Sequence, residues 1–154
     1  MGRLEDLRIR QLDEALTPFQ ALRERPPPGQ GWARTVREAL GMSLRQLAER
    51  TGLSKTAVHS AESNESKGTI RLDSLRKLAE AMDCDLVYAM VPRDSLSNIL
   101  ERQAEHLAAS LVARVSESME LEAQGVPMSE RRRQTSEITA DILRDRGRNF
   151  WDVR

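Results

Sequence analysis

The stretch SLRQLAERTGLSKTAVHSAESN, residues 43–64, decides the fold. Leu44, Leu47 and Ala48 recur at helical spacing behind Ser43, whose hydroxyl oxygen can accept from the free amides of a first helical turn. Gly52 interrupts the pattern where a positive φ turns the chain sharply. Ser54 then caps a further helix that directs Val58 and Ala61 inward. Ala48 is small where the two helices must cross, and Val58 anchors the second of them to the core. The spacing predicts a helix through Arg50, a tight turn and a second helix, a helix-turn-helix over roughly residues 44–63.

Working outward, Trp32, Ala33, Val36 and Leu40 predict a short helix closed by Gly41. Asp73 is expected to cap another, from Ser74 to Met82, with Leu75, Leu78 and Met82 on one face. The run LVYAMV at residues 86–91 is β-branched and aromatic and is stopped by Pro92, which predicts a single strand. A lone strand has no partner in the chain, so it is expected to pair across a homodimer. Upstream, Leu4, Leu7, Leu12, Ala15, Leu16, Phe19 and Leu22 predict an amphipathic helix over residues 3–24, kinked or restarted at Pro18. Pro26, Pro27, Pro28 and Gly29 cannot continue it. Downstream, Leu96, Ile99, Leu100, Leu107, Leu111, Val115 and Met119 predict a helix over residues 95–123 that packs on another. After Gly125 and Pro127, Ser129 is expected to cap a last helix to about Arg146.

The fold class that follows is mainly α. A compact helix-turn-helix DNA-binding domain of about five short helices and one β-strand carries flanking N- and C-terminal helices. The expected division is an N-terminal helix and linker at 1–29, the domain at 30–84, the strand at 85–92 and a helical extension at 93–154.

Composition agrees with that class and narrows the function. Aromatic residues make up only 3% of the 154 while 31% are charged, which suits helices and argues against an all-β chain. The formal charge is zero, so a polyanion-binding face has to come from segregation. Residues 31–79 supply it. They hold Arg34, Arg37, Arg45, Arg50, Lys55, Lys67, Arg71, Arg76 and Lys77 against Glu38, Glu49, Glu62, Glu65 and Asp73. Both flanks are balanced or slightly acidic. Cys84 is the single cysteine, which excludes an internal disulfide and fits a reducing compartment. Two histidines and one cysteine give no ligand spacing for zinc, and no other metal or cofactor is expected. Charged residues interrupt every apolar stretch, so neither a signal peptide nor a membrane span is expected, and the chain is expected to be cytoplasmic.

With Val58 and Ala61 inward, the outer face of the second helix carries Lys55, Thr56, His59 and Ser60, with Ser54 at its start and Asn64 near its end. These side chains suit base edges in a major groove. Arg45, Lys67, Thr69 and Arg71 are placed to touch phosphates, and the helix starts at Ser43 and Ser54 add backbone N–H donors. The partner expected for this set is an operator in double-stranded DNA.

Residues 32–83, from WARTVREALGMS through LRQLAERTGLSKTAV to LDSLRKLAEAMD, resemble the phage repressor and Cro-like (XRE) family. The resemblance implies a dimeric operator-binding regulator with base contacts at Lys55, Thr56 and Ser60 and with His59 beside them. Two positions depart from the commonest pattern. Leu44 stands where a phosphate-touching Gln is frequent, and Ser60 where a longer polar residue is frequent. The whole chain, including Trp32, the LVYAMVP run and the terminal NFWD, is similar to the bacterial family called mobile mystery protein A. That resemblance implies an autoregulatory, antitoxin-like role beside a Fic-domain protein. A Fic-inhibiting helix carries Ser or Thr, three residues, Glu, then Gly or Asn. The nearest approaches, Ser97 to Glu101, Ser116 to Glu120 and Ser118 to Glu122, continue instead with Arg102, Leu121 and Ala123.

Other residues carry less. His59 and His106 lack a companion nucleophile, so no catalytic residue is assigned and the chain is not expected to be an enzyme. Cys84 is expected to be a small buried apolar residue. Arg131, Arg132 and Arg133 are expected to be a solvated helix face. Phe150 and Trp151 either fold back onto the helical body or anchor a partner, and the apolar surface they would expose favours folding back. A transcriptional regulator is the leading function. The alternative is a protein-interaction module that binds or neutralises a partner protein.

Overall fold

A computed structural model describes residues 2–120 and 127–152. Seven helices lie among the described residues: α1 (Gly2–Arg23), α2 (Trp32–Ala39), α3 (Leu44–Thr51), α4 (Lys55–Ser66), α5 (Leu72–Ala81), α6 (Leu96–Glu120) and α7 (Met128–Arg144). They divide into two compact units, residues 21–90 and residues 1–20 with 91–154. The expected break at Gly125 and the residues Leu121, Glu122 and Ala123 lie outside the described residues.

In the unit of residues 21–90, α2 to α5 converge on Ala33, Leu47, Ala48, Val58, Leu78 and Met82, with Val36, Met42, Leu44, Ala61, Ile70, Leu75 and Ala81 packed around them. Leu47, Val58 and Leu78 are fully buried. Each removes enough apolar surface from water to contribute about 1.5–3 kcal/mol. Four short helices build this unit between residues 32 and 81, the four that the spacing of apolar residues predicts there.

Two local expectations change here. Asp73 does not cap α5. The helix starts two residues earlier than expected, at Leu72 with Arg71 at the cap position, and Asp73 lies in its first turn, accepting from the Ser74 amide at 2.9 Å. A carboxylate there still meets the positive end of the helix dipole, which is the attraction the sequence encodes. The strand expected at residues 86–91 does not form, and no strand occurs among the described residues. Strand character needs a ladder partner, and nothing among the described residues supplies one, so Val87, Tyr88 and Met90 remain exposed. Cys84, expected to be buried, is also exposed.

In the other unit, α6 packs on α7, and Ala104, Ala108 and Val112, one turn apart along α6, are buried. Leu111 and Val115, assigned from their spacing to the packed stripe, are exposed. α1 runs unbroken through Pro18, so the helix does not restart there. α7 begins at Met128 behind Pro127 with no side-chain cap, which leaves Ser129 inside the helix, and it ends at Arg144. Phe150 folds back and is buried, its carbonyl accepting from Gln103 Nε2 at 2.7 Å, while Trp151 stands edge-on to it and exposed.

The Asp13 carboxylate of α1 accepts from the Leu96 amide at 2.7 Å and from the amide and hydroxyl of Ser97 at 3.2 and 2.9 Å. It therefore satisfies the orphan donors that begin α6, together with Ser95, whose hydroxyl accepts from the Asn98 amide. Partial burial would raise its pKa, but the bonds from Leu96 and Ser97 prevail and hold it below the usual carboxylate value. No helix among the described residues is long and apolar enough to cross a membrane.

Candidate nucleic-acid interface

Three local devices set the α3–turn–α4 geometry. Ser43 and Gln46 form a reciprocal capping box: the Ser43 hydroxyl accepts from the Gln46 amide at 3.2 Å, and Gln46 Oε1 accepts from the Ser43 amide at 2.8 Å. Gly52 ends α3 at φ 70°, in the left-handed region that a residue with a Cβ adopts only at a cost. The Ser54 hydroxyl accepts from the Ala57 amide at 3.1 Å and starts α4. Both serine hydroxyls are thus spent on caps. What the two helix starts can offer a ligand is backbone N–H.

α4 carries two acids, and both turn away from its outer face. Glu62 is 3% exposed and pairs with Arg37 of α2, itself 7% exposed, through Nε to Oε1 at 2.6 Å and Nη2 to Oε2 at 3.1 Å. Arg37 Nη1 also donates to the Met42 carbonyl at 2.9 Å. The hydrogen bond to Glu62 outweighs burial and holds the Arg37 guanidinium above its ordinary pKa. Glu65 Oε1 and Oε2 accept from the Trp32 and Ala33 amides, each at 2.8 Å. This carboxylate fills the N-terminal cap of α2, where Gly31 has no side chain to offer.

The opposite face of α4 presents Lys55, Thr56, His59 and Ser60, all exposed, with Asn64 exposed near its end. The face bears no carboxylate, so nothing on it repels a polyanion. Lys67 is the C-cap residue of α4, and the exposed Thr69 turns back, its amide and hydroxyl donating to the Asn64 carbonyl at 2.8 and 3.3 Å. Arg45 pairs with Glu49 and Arg71 with Asp73, both on open surface where such pairs are worth little and open readily. Arg50 is committed elsewhere, its Nε donating to the Ala81 carbonyl at the end of α5. Among the described residues, Lys55, Lys67, Arg76 and Lys77 enter no ion pair. Leu44 turns inward onto the core, so no polar contact is available from that position.

Gln46, Glu62 and Glu65 are the residues that sequence reading passes over. Signals for them exist. Ser43 and Gln46 have capping-box spacing, and Glu62 and Glu65 lie four residues after Val58 and Ala61, which places them on the inward face. Among the described residues, no group of His, Cys, Asp and Glu is arranged to hold a metal ion.

Residues 34–88 match the family model described as helix-turn-helix. That segment contains α3, the Gly52 turn, α4 and α5, and it is a helix-turn-helix domain of the phage repressor and Cro-like (XRE) kind. No curated protein and no solved structure matches the chain.

Proposed function

We propose, from the premise that residues 34–88 form an XRE-type helix-turn-helix domain, that the protein is a sequence-specific DNA-binding transcriptional regulator. The observation that carries this reading is the outer face of α4. Lys55, Thr56, His59 and Ser60 stand exposed there while Glu62 is buried and Glu65 is turned onto the start of α2. A helix whose purpose was packing on a partner protein would not keep that face free of both apolar bulk and acid. Lys55, Thr56, His59, Ser60 and Asn64 read base edges. Arg45, Lys67, Thr69, Arg71 and the helix starts at Ser43 and Ser54 hold the phosphates.

The resemblance to the phage repressor and Cro-like family supports a homodimer on a near-palindromic operator, one domain per half-site, with half-sites about ten base pairs apart. The resemblance to mobile mystery protein A supports an autoregulatory, antitoxin-like role beside a Fic-domain protein. Ser97 gives its hydroxyl to Asp13, and Glu101 is followed by Arg102, which favours control through DNA over inhibition of that protein by this helix. Gel-shift titration against the chain's own upstream region tests the reading. Binding should weaken steeply with salt, and absence of binding to any duplex at low salt defeats it.

One observation favours the second reading, a protein-interaction module. Leu4, Leu7 and Leu12 of α1 and Trp151 are exposed, apolar side chains that a partner protein would cover. Co-purification with the neighbouring gene product in the absence of DNA would distinguish it.

A further inference from the structure

We infer that Glu65 is the positioning residue that fixes the tilt of α4, and that the bare backbone of Gly31 provides its seat. The inference rests on the DNA-binding reading above and adds to it how discrimination between sequences is held. α4 meets α2 at two charged points. Near its middle, Glu62 is clasped by Arg37 beside the fully buried Val58. One turn further on, Glu65 takes the two amides that open α2. With the first point alone, the tilt of α4 on its α2 side would rest on packing against α3 and α5, and the second adds a direct restraint toward the end of the helix.

The seat is shaped for that carboxylate. Gly31 has φ 86° and ψ 160°, a backbone region open essentially to glycine alone. A Cβ placed there would stand 2.9 Å from both Cδ and Oε2 of Glu65, so any side chain at residue 31 would force the Glu65 carboxylate or the Gly31 backbone to shift. The Gly31 amide in turn donates to the Pro28 carbonyl at 2.8 Å, tying the seat to the rigid triproline run.

Angular error at α4 acts unequally on the two kinds of DNA contact. Base-edge hydrogen bonds demand a fixed approach, whereas lysine and arginine reach phosphates through flexible stems and tolerate a tilt. Loss of the Glu65 clamp should therefore reduce affinity for a preferred sequence and spare affinity for DNA in general. A merely structural role would lower the melting temperature and leave the ratio of the two affinities alone.

The test uses the full chain, a duplex selected from a random library by the wild type, and a scrambled duplex of the same composition. Glu65→Ala should lower the selected-to-scrambled affinity ratio about tenfold, the loss expected for one bidentate base contact. Scrambled-duplex affinity and its salt slope should stay at wild-type values, and amide exchange at Trp32 and Ala33 should speed up. Glu65→Gln, which keeps one carbonyl acceptor, should fall between, and it carries the test if Glu65→Ala does not fold. Gly31→Ala should reproduce the loss, and in the double variant with Glu65→Ala the ratio should fall no further, with backbone strain appearing in the melting temperature alone. An unchanged ratio in variants whose Trp32 and Ala33 amides have lost protection overturns the inference and leaves the DNA-binding reading standing. Failure of the wild type to bind either duplex at low salt removes both.

Discussion

Arg37 and Glu62 face each other across the α2–α4 contact as a two-point ion pair closed off from solvent. A buried pair of this kind adds little against an apolar replacement of both members, but removing one member strands the other. Glu62→Ala should therefore destabilise the residue 21–90 unit by about 3 kcal/mol or more, measured by urea unfolding. Replacing both together, Arg37→Met with Glu62→Leu, should cost clearly less. Equal costs for the single and double variants would show that the charge is not what matters there.

Asp13 gives a pH dependence with a definite sign. Its folded pKa lies below the ordinary value, so its contribution is fully present above the unfolded pKa of about 3.9 and is lost as pH falls through the folded value. Melting followed from pH 6 down to pH 2 should show this acid-side loss. Asp13→Asn should remove that part of the profile and cost about 1 kcal/mol at neutral pH, as loss of a helix cap does. A variant with the wild-type acid profile would mean that other carboxylates carry it.

At Gly52 the cost of a side chain is conformational and nothing else. A Cβ there meets no atom within 4 Å, but φ is 70°. Gly52→Ala should cost about 1 kcal/mol, and Gly52→Val, with its branched side chain, at least as much. Asn, which tolerates the left-handed region, should cost least. Thermal melts that rank Val equal to wild type would mean that the turn is not held as described.

Lys55→Ala should lower operator affinity by about 1–3 kcal/mol and relax discrimination at one base position. Anisotropy titrations over a set of single-base operator variants would show which one. Uniform weakening across the whole set would assign Lys55 to a phosphate instead.

Arg71 and Asp73 make the complementary case. Arg71→Ala should weaken all duplexes alike and reduce the salt slope by about one. Asp73→Asn releases Arg71 from its exposed pair and should strengthen binding to scrambled DNA. If neither substitution changes affinity, Arg71 lies outside the contact surface.

The parts of the fold readable from sequence are those encoded by neighbours in the chain. Ser43, Gly52 and Ser54 announce the α3–turn–α4 boundaries because capping and left-handed turns are decided within a few residues. Residues 86–91 have the composition of a strand, yet strand formation depends on a partner, which composition cannot supply. Asp73 and Ser129 show the limit of cap signals, since both residue types also occur within a first turn, where the actual starts at Leu72 and Met128 place them. For the candidate site, the outward residues of α4 follow from helical period alone. The engagement of Glu62 and Glu65 by α2 does not, because their partners lie 25 to 33 residues away in the chain.

The inward turn of the two α4 carboxylates bears on how such a chain meets a duplex. With a formal charge of zero the molecule has no monopole to draw it toward DNA from afar. Its attraction is a local field around Lys55 and the neighbouring cations, and at physiological ionic strength this fades within a Debye length of about 8 Å. Encounters should proceed at the modest rate of unsteered diffusion, residence on random DNA should be brief, and lowering the salt should shorten the search mainly by prolonging each visit.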